Sequence, residues 1–158
     1  VSRPKLELNE SSEIVSYCAE EVRRQQRGLL QVDWMYYAWM EAIEAKASRA
    51  KLSHALIQHW AFLIERDRNA PQEYRHSTVR VGSRICPSPQ ELGRLMDRWL
   101  ENLSAMEPLE AYKEFEYIHP FADGNGRTGK IILNWLSDTL RTPFFPPADL
   151  FGYPITNP

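Results

Sequence analysis

The stretch His119–Lys130, HPFADGNGRTGK, decides how the rest of the chain is read. Its second half, GNGRTGK, fits the G-x-x-x-x-G-K pattern of a nucleotide-binding P-loop. A P-loop follows a buried strand of a parallel sheet, and a Ser or Thr after its Lys holds Mg²⁺. Here the preceding segment PLEAYKEFEYI, Pro108 to Ile118, has helical periodicity. Ile131 stands where the hydroxyl belongs, and no strand–helix–strand alternation appears. The P-loop reading fails on all three counts, and the stretch instead joins two helices.

Working outward, GRTGKIILNWLSDTL after the loop predicts a helix central to the core, since Ile131, Ile132, Leu133, Trp135, Leu136 and Leu140 cover most of its circumference. Upstream, SPQELGRLMDRWLENL predicts a helix with Ser88 as cap, Pro89 in the first turn and Glu91 completing a capping box. Before it, EYRHSTVRVGSRICPSP alternates around Gly82-Ser83 and predicts a β-hairpin, Ser77–Val81 with Arg84–Cys86. Three further helices are expected: about Ser11 to Gln26, with Ile14, Val15, Cys18 and Val22 inward; from near Asp33; and after Ser53. The tail from Arg141 holds five prolines in 18 residues and is expected to be irregular, packed by Phe144, Phe145 and Phe151. The fold class is therefore mainly all-α, with one short hairpin. The chain reads as one unit, 1–158, with a motif-bearing core at about 52–140 and the proline-rich tail at 141–158.

The loop's residues assemble a phosphoryl- or nucleotidyl-transfer site. Gly124 and Gly126 let an anion approach the main chain at a helix start, where N–H groups and the dipole favour phosphate. Asn125 adds an amide. Arg127 and Lys130, three apart, are expected to share one face and reach a polyphosphate. Asp123 is a hard oxygen ligand suited to Mg²⁺. His119, across the loop, can accept a proton near neutral pH. Phe121 is the expected apolar anchor.

At these residues the sequence resembles the Fic family, whose pattern is H-x-F-x-[D/E]-G-N-G-R-x-x-R. His119, Phe121, Asp123, Gly124, Asn125, Gly126 and Arg127 stand in register. The resemblance implies a Fic-like helical bundle with a β-hairpin flap that transfers AMP from ATP to a hydroxyl of a target protein. By position, His119 would be the base, Asp123 would hold Mg²⁺, Gly124, Asn125 and Gly126 would form the anion hole, and Arg127 would bind phosphates. The flap would pair with the target's backbone; Val79 and Val81, with Arg80 between them, are the candidates for holding the target chain. Lys130 departs from the family's second Arg. It keeps the charge but loses the two-pronged fork, which leaves the favoured nucleotide open. The family's inhibitory pattern, [S/T]-x-x-x-E-[G/N], is met in SYCAEE only by Ser16 and Glu20, with Glu21 at the last place; this segment reads as a solvated face. The options left are an uninhibited chain, restraint by a separate small antitoxin-like protein, or a segment outside this sequence. The rival readings are the same fold moving UMP, phosphate or phosphocholine, and a silent binding module.

Composition narrows the class. A net charge of −2 without a block of Lys and Arg argues against a nucleic-acid binder. No apolar run reaches membrane-spanning length, and VSRPKLELNESSEIV lacks the pattern of a signal peptide. Cys18 and Cys86 lack metal-site spacing and read as thiols of a reducing compartment. The expected location is cytoplasmic, or a host cell into which the protein is delivered. His54, His59 and His76 lack metal-type partners, Trp34, Tyr36, Tyr37 and Trp39 read as core, and RDRNAPQEYR, Arg66 to Arg75, reads as a solvated charged loop.

Overall fold

The computed structural model describes residues 5–151. In chain order come α1 (Leu8–Arg24), α2 (Leu29–Ala47), α3 (His54–Ile64), β1 (Arg80–Val81), β2 (Arg84–Ile85), α4 (Leu92–Asn102), α5 (Pro108–Ile118) and α6 (Asn125–Leu136). α6 is the axis. It packs against α5, α3 and α2, while α1 packs on α2 and α4 on α5. Every residue from Asn125 to Trp135 is buried, as its nearly continuous apolar circumference requires. Gly129 sets the closest approach: a Cβ there would lie 2.3 Å from Glu116 Oε1 and 3.0 Å from Tyr112 Cε1 on α5. Among the described residues no helix is long and apolar enough to cross a membrane.

Local signals explain most boundaries. Ser53 Oγ accepts the Leu56 N–H at 3.2 Å and starts α3. Ser88 and Glu91 form the expected capping box, but over a 3₁₀ turn, Pro89–Glu91, that precedes α4. α1 starts at Leu8 rather than Ser11, because the Glu10 carboxylate reaches back to the Glu7 N–H at 2.9 Å. Its inward stripe is Ile14, Tyr17, Cys18, Glu21 and Val22; Val15, expected inward, is 43% exposed, since it lies about 100° around the helix from Ile14. α2 starts at Leu29, four residues before the expected Asp33, with Gln31 Oε1 accepting the Gly28 N–H at 3.2 Å.

The aromatic run of α2 divides. Trp39 is fully buried and donates to the Leu140 carbonyl at 2.7 Å. Trp34 and Tyr37, expected in the core, sit three apart on the outer face and flank the Arg66 guanidinium at 5.4 and 5.8 Å. The hairpin is shorter than expected. It pairs Arg80 with Ile85 and Val81 with Arg84, and one further bond runs from the Cys86 N–H to the Val79 carbonyl at 3.0 Å. Gly82, φ 60°, takes the turn position that favours glycine. The tail packs as predicted at Phe145, which stacks on Tyr17 at 4.0 Å between centroids. Phe151 stands 6.4 Å from Tyr112, whereas Phe144 is 36% exposed; residues 152–158 lie outside the described part. Both cysteines are free and buried.

Candidate active site

α5 ends where Pro120 disfavours further helix. His119 takes a left-handed conformation there, φ 51° and ψ 62°, an arrangement uncommon for a residue with a Cβ. Its buried Nδ1 has no hydrogen-bond partner. Burial pushes the imidazole pKa down to about 4; the Glu116 carbonyl opposes this, and the Arg75 and Arg84 cations add to it. At neutral pH the ring is therefore uncharged and able to take a proton.

The loop is held by its own side chains. Phe121 is buried between Tyr74 and Phe115, at centroid distances of 5.5 and 6.5 Å. Asn125 accepts the Phe121 N–H and donates to the Phe121 carbonyl, each at 2.9 Å. Its amide is thus turned into the loop rather than toward an anion, and only its backbone N–H is left for that role. Gly124 caps α6 with φ 76° and donates its N–H to Asp123 Oδ1 at 2.8 Å. The N–H groups of Asn125, Gly126 and Arg127 open the helix, where geometry gives them no intrahelical acceptor.

Arg127 and Lys130 diverge. Arg127, fully buried, faces Glu65 at 3.1 Å and Asp123 at 3.6 Å. Its Nη2 is thus ion-paired with both carboxylates, while its Nε, which makes no hydrogen bond, is the donor left for an incoming anion. Lys130 turns toward α1 and α5, donating to Glu21 Oε2 at 3.1 Å and to Tyr112 Oη at 3.0 Å. Burial alone would discharge it; Tyr112, Glu21, Glu116 and Tyr17 outweigh that and raise its pKa. Glu116, beside Gly129, has a buried Oε1 without a partner, and burial lifts its pKa to about 7 against Lys130.

Several residues read as solvated belong to the site. Glu20 is solvated as expected, bonded only to Arg23 and Arg24. Its neighbour Glu21 is 1% exposed. With Gln25 it covers the mouth of α6, lying 3.5 Å from where a Gly126 Cβ would stand, with Gln25 Nε2 at 3.0 Å. In the supposed charged loop, Asn69 is buried and donates to the carbonyls of Ala61 and Asp123, both at 2.9 Å. Arg75 is a buried brace. It donates to the carbonyls of His119 at 2.7 Å, Ser77 at 2.9 Å and Pro87 at 2.6 Å, and its N–H bonds Pro120 at 2.9 Å. It thereby ties the C-terminus of α5, where a cation is favoured, to the base of the hairpin. Replacing Arg75 with Met removes the donor to the His119, Ser77 and Pro87 carbonyls and is expected to cost about 2–4 kcal/mol, read as a lower urea midpoint. On the hairpin, Arg80 is exposed and Val79 and Val81 half-buried; Arg84 lies over the Tyr117 ring at 4.4 Å.

The histidines outside the loop make local pairs. His54 bonds Tyr74 and Asp97, His59 bonds Glu41, and His76 bonds Glu73. Among the described residues no group of three or more His, Cys, Asp or Glu side chains could hold a metal. Asp123 is the hard oxygen ligand that the loop offers, of the type Mg²⁺ takes alongside phosphate oxygens.

Comparison with known proteins gives this arrangement its relatives. Protein adenylyltransferase Fic of Drosophila melanogaster is 41% identical over 73 residues, covering 40% of this chain and 15% of that protein. The Drosophila yakuba protein is 40% identical over the same shares. The match thus spans only 15% of these relatives' length. Among solved structures, IbpAFic2 covalently tethered to Cdc42 aligns with a TM-score of 0.67 at 19% identity, over 90% of this chain and 53% of that one. A Fic family protein from Desulfovibrio desulfuricans aligns with a TM-score of 0.56 at 21% identity, over 87% and 45%. The Fic/DOC family profile matches residues 40–137, running from α2 through the hairpin and the loop to the end of α6, and on that match the chain belongs to the Fic/DOC family.

Proposed function

We propose that the protein transfers AMP from ATP to a hydroxyl of a target protein. The observation that supports this most is the juxtaposition at one loop of a neutral, buried imidazole and the N-terminus of a buried helix backed by Arg127. The Drosophila relatives are named protein adenylyltransferases, and an IbpAFic2 variant is known in complex with adenylylated Cdc42.

In this reading the triphosphate lies along the N–H groups of Asn125, Gly126 and Arg127, and the unpartnered Nε of Arg127 takes a phosphate oxygen. His119 accepts the proton of the target hydroxyl. The hydroxyl oxygen bonds to the α-phosphorus, the bond to the bridging oxygen breaks, and pyrophosphate leaves with its electron pair. The protonated imidazole then releases its proton to solvent. A Mg²⁺ ion held by Asp123 would neutralise charge on the departing phosphates. Strand addition at the Arg80–Val81 edge, with Val79 and Val81 beside it, would present the target hydroxyl. Control by a separate small antitoxin-like protein is compatible with this scheme, and so is restraint by α1, whose Glu21 already sits at the mouth.

The test is incubation with protein targets and ATP labelled at either the α- or the γ-phosphate. AMP transfer predicts protein-bound label from the α-position alone. Label from the γ-position alone would make the protein a kinase. No label from either, with target capture intact, would make it a binding module.

A further inference from the structure

The turn between α1 and α2 places a cation directly on the carboxylate expected to hold metal. Arg27 Nη2 lies 2.7 Å from Asp123 Oδ2, and its Nε lies 4.0 Å from Glu65 Oε2. Asp123's other oxygen is already engaged, by the Gly124 N–H at 2.8 Å and by Arg127 Nη2 at 3.6 Å. Arg68 Nε stands 3.9 Å from Oδ2. Two buried carboxylates, Asp123 and Glu65, therefore face three guanidinium groups. A divalent cation arriving alone meets an Asp123 whose two oxygens are both engaged and a surplus of positive charge.

The three cations differ in how firmly they are held. Arg127 is fully buried within α6, and Arg68 is 60% exposed and distant. Arg27 makes the closest cation contact with Asp123, yet its side chain is 33% exposed and sits on a connection immediately before Gly28. It can leave without opening the core. A polyphosphate supplies the negative charge that would draw it away, and its departure frees Asp123 Oδ2. From this exchange of partners, and resting on the nucleotide reading above, we propose that Arg27 is a displaceable counter-ion of Asp123 that makes divalent-metal binding conditional on the nucleotide. The protein alone excludes the metal; when the triphosphate binds, Arg27 passes to the phosphates and the metal enters beside them.

The exclusion is measured first without nucleotide, by Mn²⁺ titration of the protein followed by electron paramagnetic resonance. The Arg27→Gln variant is expected to bind Mn²⁺ at least about tenfold more tightly than the parent. The Arg27→Gln/Asp123→Asn double variant is expected to lose that gain, and Arg27→Lys, which keeps the charge, to behave as the parent does. Circular dichroism confirms that each variant is folded. Equal Mn²⁺ affinity in parent and Arg27→Gln overturns the inference whatever the nucleotide does. The hand-over is measured second, by ATP titration without metal, where the parent is expected to bind about tenfold more tightly than Arg27→Gln. ATP bound equally by both overturns the coupling and leaves the proposed activity standing, whereas ATP bound by neither overturns the two together.

Discussion

Replacing His119 with alanine is expected to reduce AMP transfer by about 10²- to 10⁴-fold, the range for loss of a positioned general base, with little change in ATP affinity. The imidazole is the side chain at the loop positioned to take a proton while already neutral at pH 7, because burial holds its pKa at about 4. The acid limb of the parent's rate profile should accordingly fall near pH 4 rather than at the usual 6.5 or so of histidine. A profile whose acid limb lies near 6.5 would show that the ring is hydrated in the working enzyme. The same burial has a consequence for stability. Between about pH 4 and 6.5 the unfolded chain binds a proton at His119 and the folded chain does not, so this residue makes stability rise with pH across that window. Glu116 acts in the opposite sense: lifted to about 7 by burial, it is protonated when folded and ionised when unfolded from about pH 4.5 to 7, so it makes stability fall as pH rises. The two contributions oppose each other from about pH 4.5 to 6.5. Urea unfolding of His119→Gln should expose the Glu116 slope, with stability decreasing as pH rises. Glu116→Gln should expose the reverse. Parallel pH curves for parent and both variants would mean that neither side chain changes its protonation on folding.

The parts of the fold that the sequence announces are those with local causes. α5 runs from Pro108 to Ile118 as predicted, because proline suits a first helical turn and a following proline ends the helix. Ser53, the Ser88–Glu91 box and Gly82-Ser83 act within four residues of themselves, so their meaning does not depend on what packs above them. The loop from His119 to Arg127 announces the family for a different reason: its residues stand in register with the family pattern, and they lie within the matched span. Lys130 and Asn125 show the limit. Their types and spacing point to an anion, yet Lys130 is claimed by Glu21 and Tyr112 and the Asn125 amide by its own loop.

What escaped the sequence was polar burial. Asn69 and Arg75 lie in a segment whose charge density reads as solvated, and they are buried, like Glu65 just before it, only because a partner far along the chain meets each: the Asp123 carbonyl, the α5 terminus and, for Glu65, Arg127. Polarity predicts exposure for a side chain on its own; it fails where two polar groups are buried together. Glu21 did carry a signal. It stands seven residues after Ile14 and three after Cys18, on the inward stripe of α1, and a charged residue in such a register needs a buried partner of opposite sign. The distinction between Glu20 and Glu21 is one residue, or about 100° of helix, and it separates a solvated acid from one that faces the candidate site.

That distinction sets the second large effect. Glu21→Ala is expected to bind ATP at least about tenfold more tightly than the parent, because the phosphates need no longer displace a carboxylate to reach Lys130. Glu21 Oε2 lies 3.1 Å from Lys130 Nζ, and both side chains are almost completely buried. Opening a buried pair by removing one partner costs about 3–5 kcal/mol. The loss here should fall at the low end of that range, since Tyr112 still accepts from Lys130 and Glu116, no longer beside a second carboxylate, ionises more readily. The variant should therefore melt below the parent without ligand and recover more than the parent does when ATP is added, because a triphosphate supplies the charge that Lys130 has lost. Lys130→Ala made in the Glu21→Ala background should abolish the gain in affinity, which assigns it to that cation. Glu20→Ala is the control: its partners are the exposed Arg23 and Arg24, and neither melting nor ATP affinity should move. If Glu21→Ala and the parent bind ATP equally in calorimetry, the outer phosphates do not approach Lys130, and α1 is a structural wall of the site rather than a competitor for it.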